Sequence, residues 1–302
     1  MGTPPAAVTS LAALIDDGHE IAAVYTQPDR PSGRGNKITS PPVKDYALEH
    51  GLNVLQPTKI RTPEAIEEFR AFAADVAVVV AYGRILPEAF LSAFPHGAIN
   101  VHFSLLPKYR GAAPVNWAIV NRETETGVTS MQMDAGLDTG AILLQRSTPI
   151  GEHETSVELM SRLAEIGAEV LIDTLRQIDA IVPVPQDDRL ATVAPIMRKS
   201  DGLIDWVMSA DDIVARVRGF QPFPGTFTSL GGMKLTVRRA EAVSGFSGTS
   251  GEVLTAAGDL LVIGCGGETA LALREIQLEG KRPVTARDFL NGSKLSVGDR
   301  LC

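Results

Sequence analysis

Ile99-Asn100-Val101-His102-Phe103-Ser104-Leu105-Leu106-Pro107-Lys108-Tyr109-Arg110-Gly111 opens the stretch that decides the fold, a stretch that continues to Gln145. Ala98 to Phe103 alternates with a two-residue period, the signature of a strand, so Asn100 and His102 share one face. The next residues carry Pro107, Gly111 and Pro114, which restrict the backbone before a helix that begins near Val115. A second strand, Gly127 to Met133, runs into Asp134-Ala135-Gly136-Leu137-Asp138-Thr139-Gly140, a turn whose glycines flank Asp138. An aspartate is thereby offered at the end of a neighbouring strand.

Asn100, His102 and Asp138 brought together could carry general acid/base chemistry. The carboxylate would orient the imidazole, and the amide N–H would stabilise an oxyanion. Taken singly, each has a plainer role: a hydrogen-bonded structural histidine, a turn-forming aspartate, an asparagine that caps a loop. Together, in the loops after parallel strands where α/β proteins bind ligands, they form a candidate site.

Upstream, Val8 to Asp17 reads as a helix with Leu11, Leu14 and Ile15 as its apolar stripe, and Ile21 to Tyr25 as a strand. Gln27 to Lys37 is a Pro/Gly-rich loop carrying Arg30, Arg34 and Lys37, either a solvated surface loop or a basic finger. Val43 to Glu49 and Pro63 to Ala74 are expected helices, with a short strand at Asn53 to Gln56 between them. The apolar run Asp75 to Ala81 suits a strand buried on both faces of a parallel sheet. It ends in Tyr82-Gly83-Arg84-Ile85-Leu86-Pro87, where glycine permits close approach of a ligand.

Downstream, Ala141 to Arg146 is an expected strand and Ser156 to Ile178 a long helix, capped by Thr155 or Ser156. Alternating strands and helices imply a doubly wound α/β domain with a largely parallel sheet, over residues 1–179. Residues 180–200 lose periodicity and contain Pro183, Pro185 and Pro195, the character of an interdomain linker. Residues 201–302 carry short strands at Lys234 to Arg238, Gly251 to Leu254, Leu260 to Ile263 and Leu271 to Ile276, which point to a small β-barrel.

With 302 residues the chain can hold two domains, and 44% hydrophobic with 21% charged residues is a soluble globular composition. A formal charge of −8 excludes a generally basic nucleic-acid binder, so any RNA contact must use local patches. Two cysteines, Cys265 and Cys302, exclude a disulfide framework or a cysteine-rich zinc site and fit a reducing cytoplasm. No leader pattern and no apolar run long enough for a membrane span occurs. Gly33 and Gly35 lack the strand-to-helix context of a dinucleotide fingerprint.

Asn100-Val101-His102, Ser104-Leu105-Leu106-Pro107 and Gly136-Leu137-Asp138-Thr139-Gly140 resemble the core of the formyltetrahydrofolate-dependent formyltransferases. Arg110-Gly111-Ala112-Ala113-Pro114, Met131-Gln132-Met133-Asp134 and Thr26-Gln27-Pro28-Asp29-Arg30-Pro31 resemble the branch of that family whose acceptor is methionyl initiator tRNA. The resemblance covers nearly the whole chain. It implies a Rossmann-like catalytic domain followed by an OB-like barrel. The co-substrate is then 10-formyltetrahydrofolate, no metal is required, and the enzyme is expected to be a cytoplasmic monomer.

By the same resemblance, Asn100 and His102 stabilise the oxyanion and manage the amine proton, with Asp138 orienting His102. The pterin pocket falls to Tyr82, Gly83, Arg84, Ile85 and Leu86, to Ser104, Leu105, Leu106 and Pro107, and to Asp134, Gly136 and Leu137. The Arg30–Arg34–Lys37 loop would enter the acceptor stem, and Arg216, Arg218, Lys234, Arg238 and Lys281 would supply phosphate contacts. The alternatives are a formyltransferase or hydrolase acting on a small amine, and a catalytically silent folate- or RNA-binding relative.

Family members usually have an apolar strand before Gly-Thr-Pro, whereas this sequence starts Met1-Gly2-Thr3-Pro4, without the acidic-Phe-Ala sequel. The expectation is a sheet lacking its first strand, from a start placed late or a truncation.

Overall fold

The computed structural model describes residues 1–32 and 37–302. They divide into two compact units, one of residues 1–114, 125–149 and 160–194, the other of 115–124, 150–159 and 195–302.

In chain order the first unit begins with α1 (Pro5–Asp16), β1 (Val24–Tyr25), the hairpin β2 (Arg30–Ser32) and β3 (Lys37–Thr39), α2 (Pro42–Glu49) and β4 (Val54–Leu55). It continues with α3 (Pro63–Ala71), β5 (Ala77–Val79), α4 (Glu88–Leu91), β6 (Ala98–His102) and β7 (Arg110–Gly111). After α5 (Pro114–Val120), which falls almost wholly in the second unit, come β8 (Glu125–Gln132), β9 (Ile142–Pro149), α6 (Ser156–Arg176), whose first turn also falls in the second unit, and β10 (Val193–Ala194).

Proline opens α1, α2 and α3, where its missing N–H costs nothing and its fixed φ suits the first turn. At α3 the Thr62 hydroxyl also accepts the Ala65 N–H. The main sheet runs β5–β6–β8–β9. Its β5–β6 pair is parallel, but β8 runs antiparallel to both β6 and β9, so the sheet is mixed where alternation pointed to a largely parallel one. On one side of it Phe69 and Phe90 stack with ring centroids 4.1 Å apart, and Tyr25 meets Phe69 edge-on.

β1 and β4 form a separate parallel pair. Between it and β5 lie Met1 and Gly2, bonded to both sides. The Gly2 N–H donates to the Tyr25 carbonyl and the Val80 N–H to the Met1 carbonyl, both at 2.9 Å, and the Met1 ammonium donates to Val78 at 2.7 Å. Beside them lies a slot of about 520 Å³, lined by Leu11, Leu14, Glu20, Val24, Asp75 and Val76 among others. Burial there lowers the pKa of the Met1 ammonium from 8.0 to about 5.

The second unit carries α7 (Ala210–Gly219), β11 (Thr226–Leu230), β12 (Met233–Val243), β13 (Val253–Ala257), β14 (Leu260–Gly264), β15 (Ala270–Leu278), β16 (Val284–Thr285) and α8 (Ala286–Gly292). Its antiparallel sheet has the order β11–β12–β15–β14–β13, with β16 also on β15. Among the described residues no β11–β13 ladder closes it into the barrel that the resemblance implies. Ser209 caps α7 by accepting the Asp212 N–H, and Ile213 and Val217 join Leu235, Leu261 and Ile276 in a core with 3% exposure or less. Each such side chain, once buried, stabilises the unit by about 1.5–3 kcal/mol.

Candidate active site

β6 ends on His102, and its alternation puts Asn100 on the same face, both side chains almost wholly buried. His102 Nε2 lies 2.9 Å from the Tyr109 carbonyl oxygen. A carbonyl oxygen can only accept, so Nε2 carries the hydrogen and the ring is oriented from that side. Nδ1 is then the nitrogen left to exchange a proton, and it faces Asp138 Oδ2 at 3.7 Å. The same oxygen accepts the Gly111 N–H at 2.8 Å, which holds the carboxylate in place.

Backbone conformation makes this possible. Tyr109 and Asp138 occupy the left-handed region, with φ of 61° and 54°. Gly111 has φ 122°, and a Cβ there would come within 2.6 Å of the Ala194 carbonyl oxygen, so only glycine serves.

Two loops expected at the pterin site are tied to their surroundings. Asp134 Oδ1 accepts the Gly136 N–H at 3.0 Å and the Thr139 hydroxyl at 2.7 Å, which closes the turn before Asp138. Ser104 donates to the Lys108 carbonyl and Leu106 N–H to Thr129, while Gln145 donates to both Leu106 and Thr129. Leu105 and Pro107 are therefore held between fixed points.

The third loop is anchored by Gln27. It donates to the Tyr82 carbonyl at 3.0 Å and accepts from Arg84 at 3.3 Å and from Arg30 at 3.2 Å. Gly83 has φ 80° and Leu86 is buried, but Ile85 and Leu137 are 69% and 61% exposed, apolar groups held in water on two of the three loops.

The basic residues fall into two groups. Arg216 donates to the Asp201 carbonyl and sits over the Phe220 ring, and Arg218 donates to the carbonyls of Gly151 and Glu154, where burial lowers its pKa. Both guanidinium groups are partly exposed and bonded to main-chain carbonyls of the second unit. Lys234, Arg238 and Lys281 are exposed, Lys234 over the Phe227 ring and Arg238 on Gln277. Lys37 is exposed on β3, and Arg34 lies outside the described residues.

Among the described residues no group of three or more His, Cys, Asp or Glu is placed to hold a metal ion. None of their helices is long and apolar enough to cross a membrane.

Residues 1–175 match the formyl transferase family, and residues 196–294 match its C-terminal domain. The chain belongs to the formyltransferase family. Among relatives of this formyltransferase, the methionyl-tRNA formyltransferase of Geobacter sulfurreducens is 48% identical, covering 100% of this chain and 95% of the relative. That of Myxococcus xanthus is 50% identical, with 99% and 96% covered. Its fold is shared by a sugar 3N-formyl transferase, WlaRD, solved with dTDP and 5-N-formyl-THF, at TM-score 0.67 and 19% identity over 93% of this chain and 97% of that one. The N-formyltransferase of Helicobacter canadensis, with folinic acid and dTDP-3-aminofucose, aligns at TM-score 0.67 and 20% identity over 90% and 96%.

Sequence reasoning reached His102, Asn100 and Asp138 in this formyltransferase, and the structure brings His102 and Asp138 together. It missed the Tyr109 carbonyl, the Gly111 N–H, Gln27 and Gln145. Main-chain partners leave no side-chain signal; the glycine between Arg110 and Ala112 was the one clue.

Proposed function

We propose that the protein transfers the formyl group of 10-formyltetrahydrofolate to the α-amine of methionine esterified to initiator tRNA, as a monomer in the cytoplasm, where that tRNA is charged. The observation that carries this reading is near-50% identity, along the whole length of the chain, to methionyl-tRNA formyltransferases. The folate supplies a formyl carbon ready for attack by an amine. His102 Nδ1 takes the proton that the amine sheds as its bond to that carbon forms, because Nε2 is committed to Tyr109, and returns it to N10 of the folate as the bond between that nitrogen and the formyl carbon breaks and tetrahydrofolate leaves. Asp138, 3.7 Å away, stabilises the imidazolium so produced. The Asn100 amide donates to the formyl oxygen as negative charge gathers there.

The folate's pterin would sit among the Tyr82–Leu86, Ser104–Pro107 and Asp134–Leu137 loops, where Ile85 and Leu137 already stand exposed. The tRNA backbone would meet Arg30, Arg34 and Lys37 from one unit, and Lys234, Arg238 and Lys281 from residues 201–302. Arg216 and Arg218 act instead by keeping that C-terminal region folded.

Formylation of methionyl initiator tRNA, run beside glycinamide ribonucleotide, an amino sugar nucleotide and a control without acceptor, tests the proposal. Formylation of the tRNA alone is expected. A higher kcat/KM for either small amine would overturn it.

A further inference from the structure

Residues 186–194 lie in a stretch whose composition is that of a linker, yet they run along the back of the His102–Asp138 pair. β10 pairs in parallel with β7, Val193 opposite Arg110 and Ala194 opposite Gly111. Thr192 grips the neighbouring turn three times. Its hydroxyl accepts the Tyr109 N–H at 2.8 Å, its carbonyl accepts the Arg110 N–H at 2.9 Å, and its own N–H donates to the Pro107 carbonyl at 3.3 Å. Tyr109 is the residue whose carbonyl holds His102 Nε2.

Gln186 grips the other half. Its Nε2 donates to the carbonyls of Asp138 at 2.9 Å and Gly140 at 2.7 Å, and its Oε1 accepts from Arg110 Nε at 3.0 Å and Nη2 at 2.8 Å. Arginine only donates and a carbonyl only accepts, so the amide can face just one way. All four of its strong hydrogen-bonding positions are used. Arg110 leads into Gly111, whose N–H fixes the Asp138 carboxylate. Gln186 therefore holds Asp138 from its backbone while Gly111 holds it by its side chain.

We propose that Gln186 and Thr192 are positioning residues that set the distance and orientation between His102 and Asp138. A segment that only joined two units would need neither a saturated amide nor a hydroxyl aimed at the residue behind the histidine. The inference rests on the formyl-transfer role proposed for the pair. It adds that catalytic geometry is set from residues 186–194, outside the loops that carry the pair.

The test is steady-state formylation of methionyl initiator tRNA by the full chain and its variants. Gln186→Glu keeps the shape and the Arg110 contact but turns an oxygen toward two carbonyl oxygens, and Gln186→Ala removes both grips. Each is expected to lower kcat by about tenfold to a hundredfold, the scale of an ångström-sized misplacement, with KM for tRNA and folate within about twofold. Thr192→Val should do the same and shift the acid limb of the kcat–pH profile, while Thr192→Ser restores both.

Adding Gln186→Ala to Asp138→Asn should cost less than about threefold more, because the geometry it protects has already lost its charge. Losses confined to KM, penalties that multiply in the double variant, or unchanged kcat in folded Gln186→Glu and Thr192→Val would each overturn the inference. Those outcomes leave formylation by the unmodified chain intact. Absence of tRNA formylation by the unmodified chain would refute the proposed function itself.

Discussion

Asp138→Asn isolates the charge of the pair. The two side chains are nearly the same size, and the asparagine Oδ1 can still accept the Gly111 N–H that now meets the carboxylate at 2.8 Å. What disappears is a negative charge 3.7 Å from His102 Nδ1. At an effective dielectric constant of about 20, unit charges at that separation attract by about 4 kcal/mol. The side chains of His102 and Asp138 are only 7% and 14% exposed, so salt screens the attraction little. If Nδ1 takes the amine proton, the attraction exists when the imidazolium forms and is absent before, so it lowers the barrier rather than the substrate's binding energy. Its removal is expected to cost about a thousandfold in single-turnover formylation of methionyl initiator tRNA, with tRNA affinity and melting temperature unchanged. A loss under about tenfold in a folded variant would show that Asp138 acts through shape alone and would refute the assignment of the proton to Nδ1.

His102→Ala is expected to lower turnover by at least as much, with tRNA binding measured by filter retention unaltered. Arg34→Ala should weaken tRNA binding and lower the slope of log affinity against log salt by about one, as loss of a phosphate contact does; an unchanged slope between low and high salt would place the loop away from the RNA. Gly140→Ala would push a Cβ into the Gln132 carbonyl oxygen, and should cost both stability in urea and turnover because the turn carrying Asp138 must move.

The site was legible where side-chain pattern carries it. Alternation placed Asn100 and His102 on one face, and two glycines marked the turn at Asp138. What stayed hidden travels through the main chain or through single polar contacts. The two-residue pairing of Val193–Ala194 with Arg110–Gly111 buries one small side chain, Ala194, so it leaves no periodicity, and Gln186 looks like any polar residue among prolines. Composition also cannot separate an arginine bonded to main-chain carbonyls, as Arg216 and Arg218 are, from exposed basic side chains such as Lys234 and Arg238. The reversed direction of β8 leaves no trace in a hydrophobic pattern, since a strand buried on both faces reads alike in either direction.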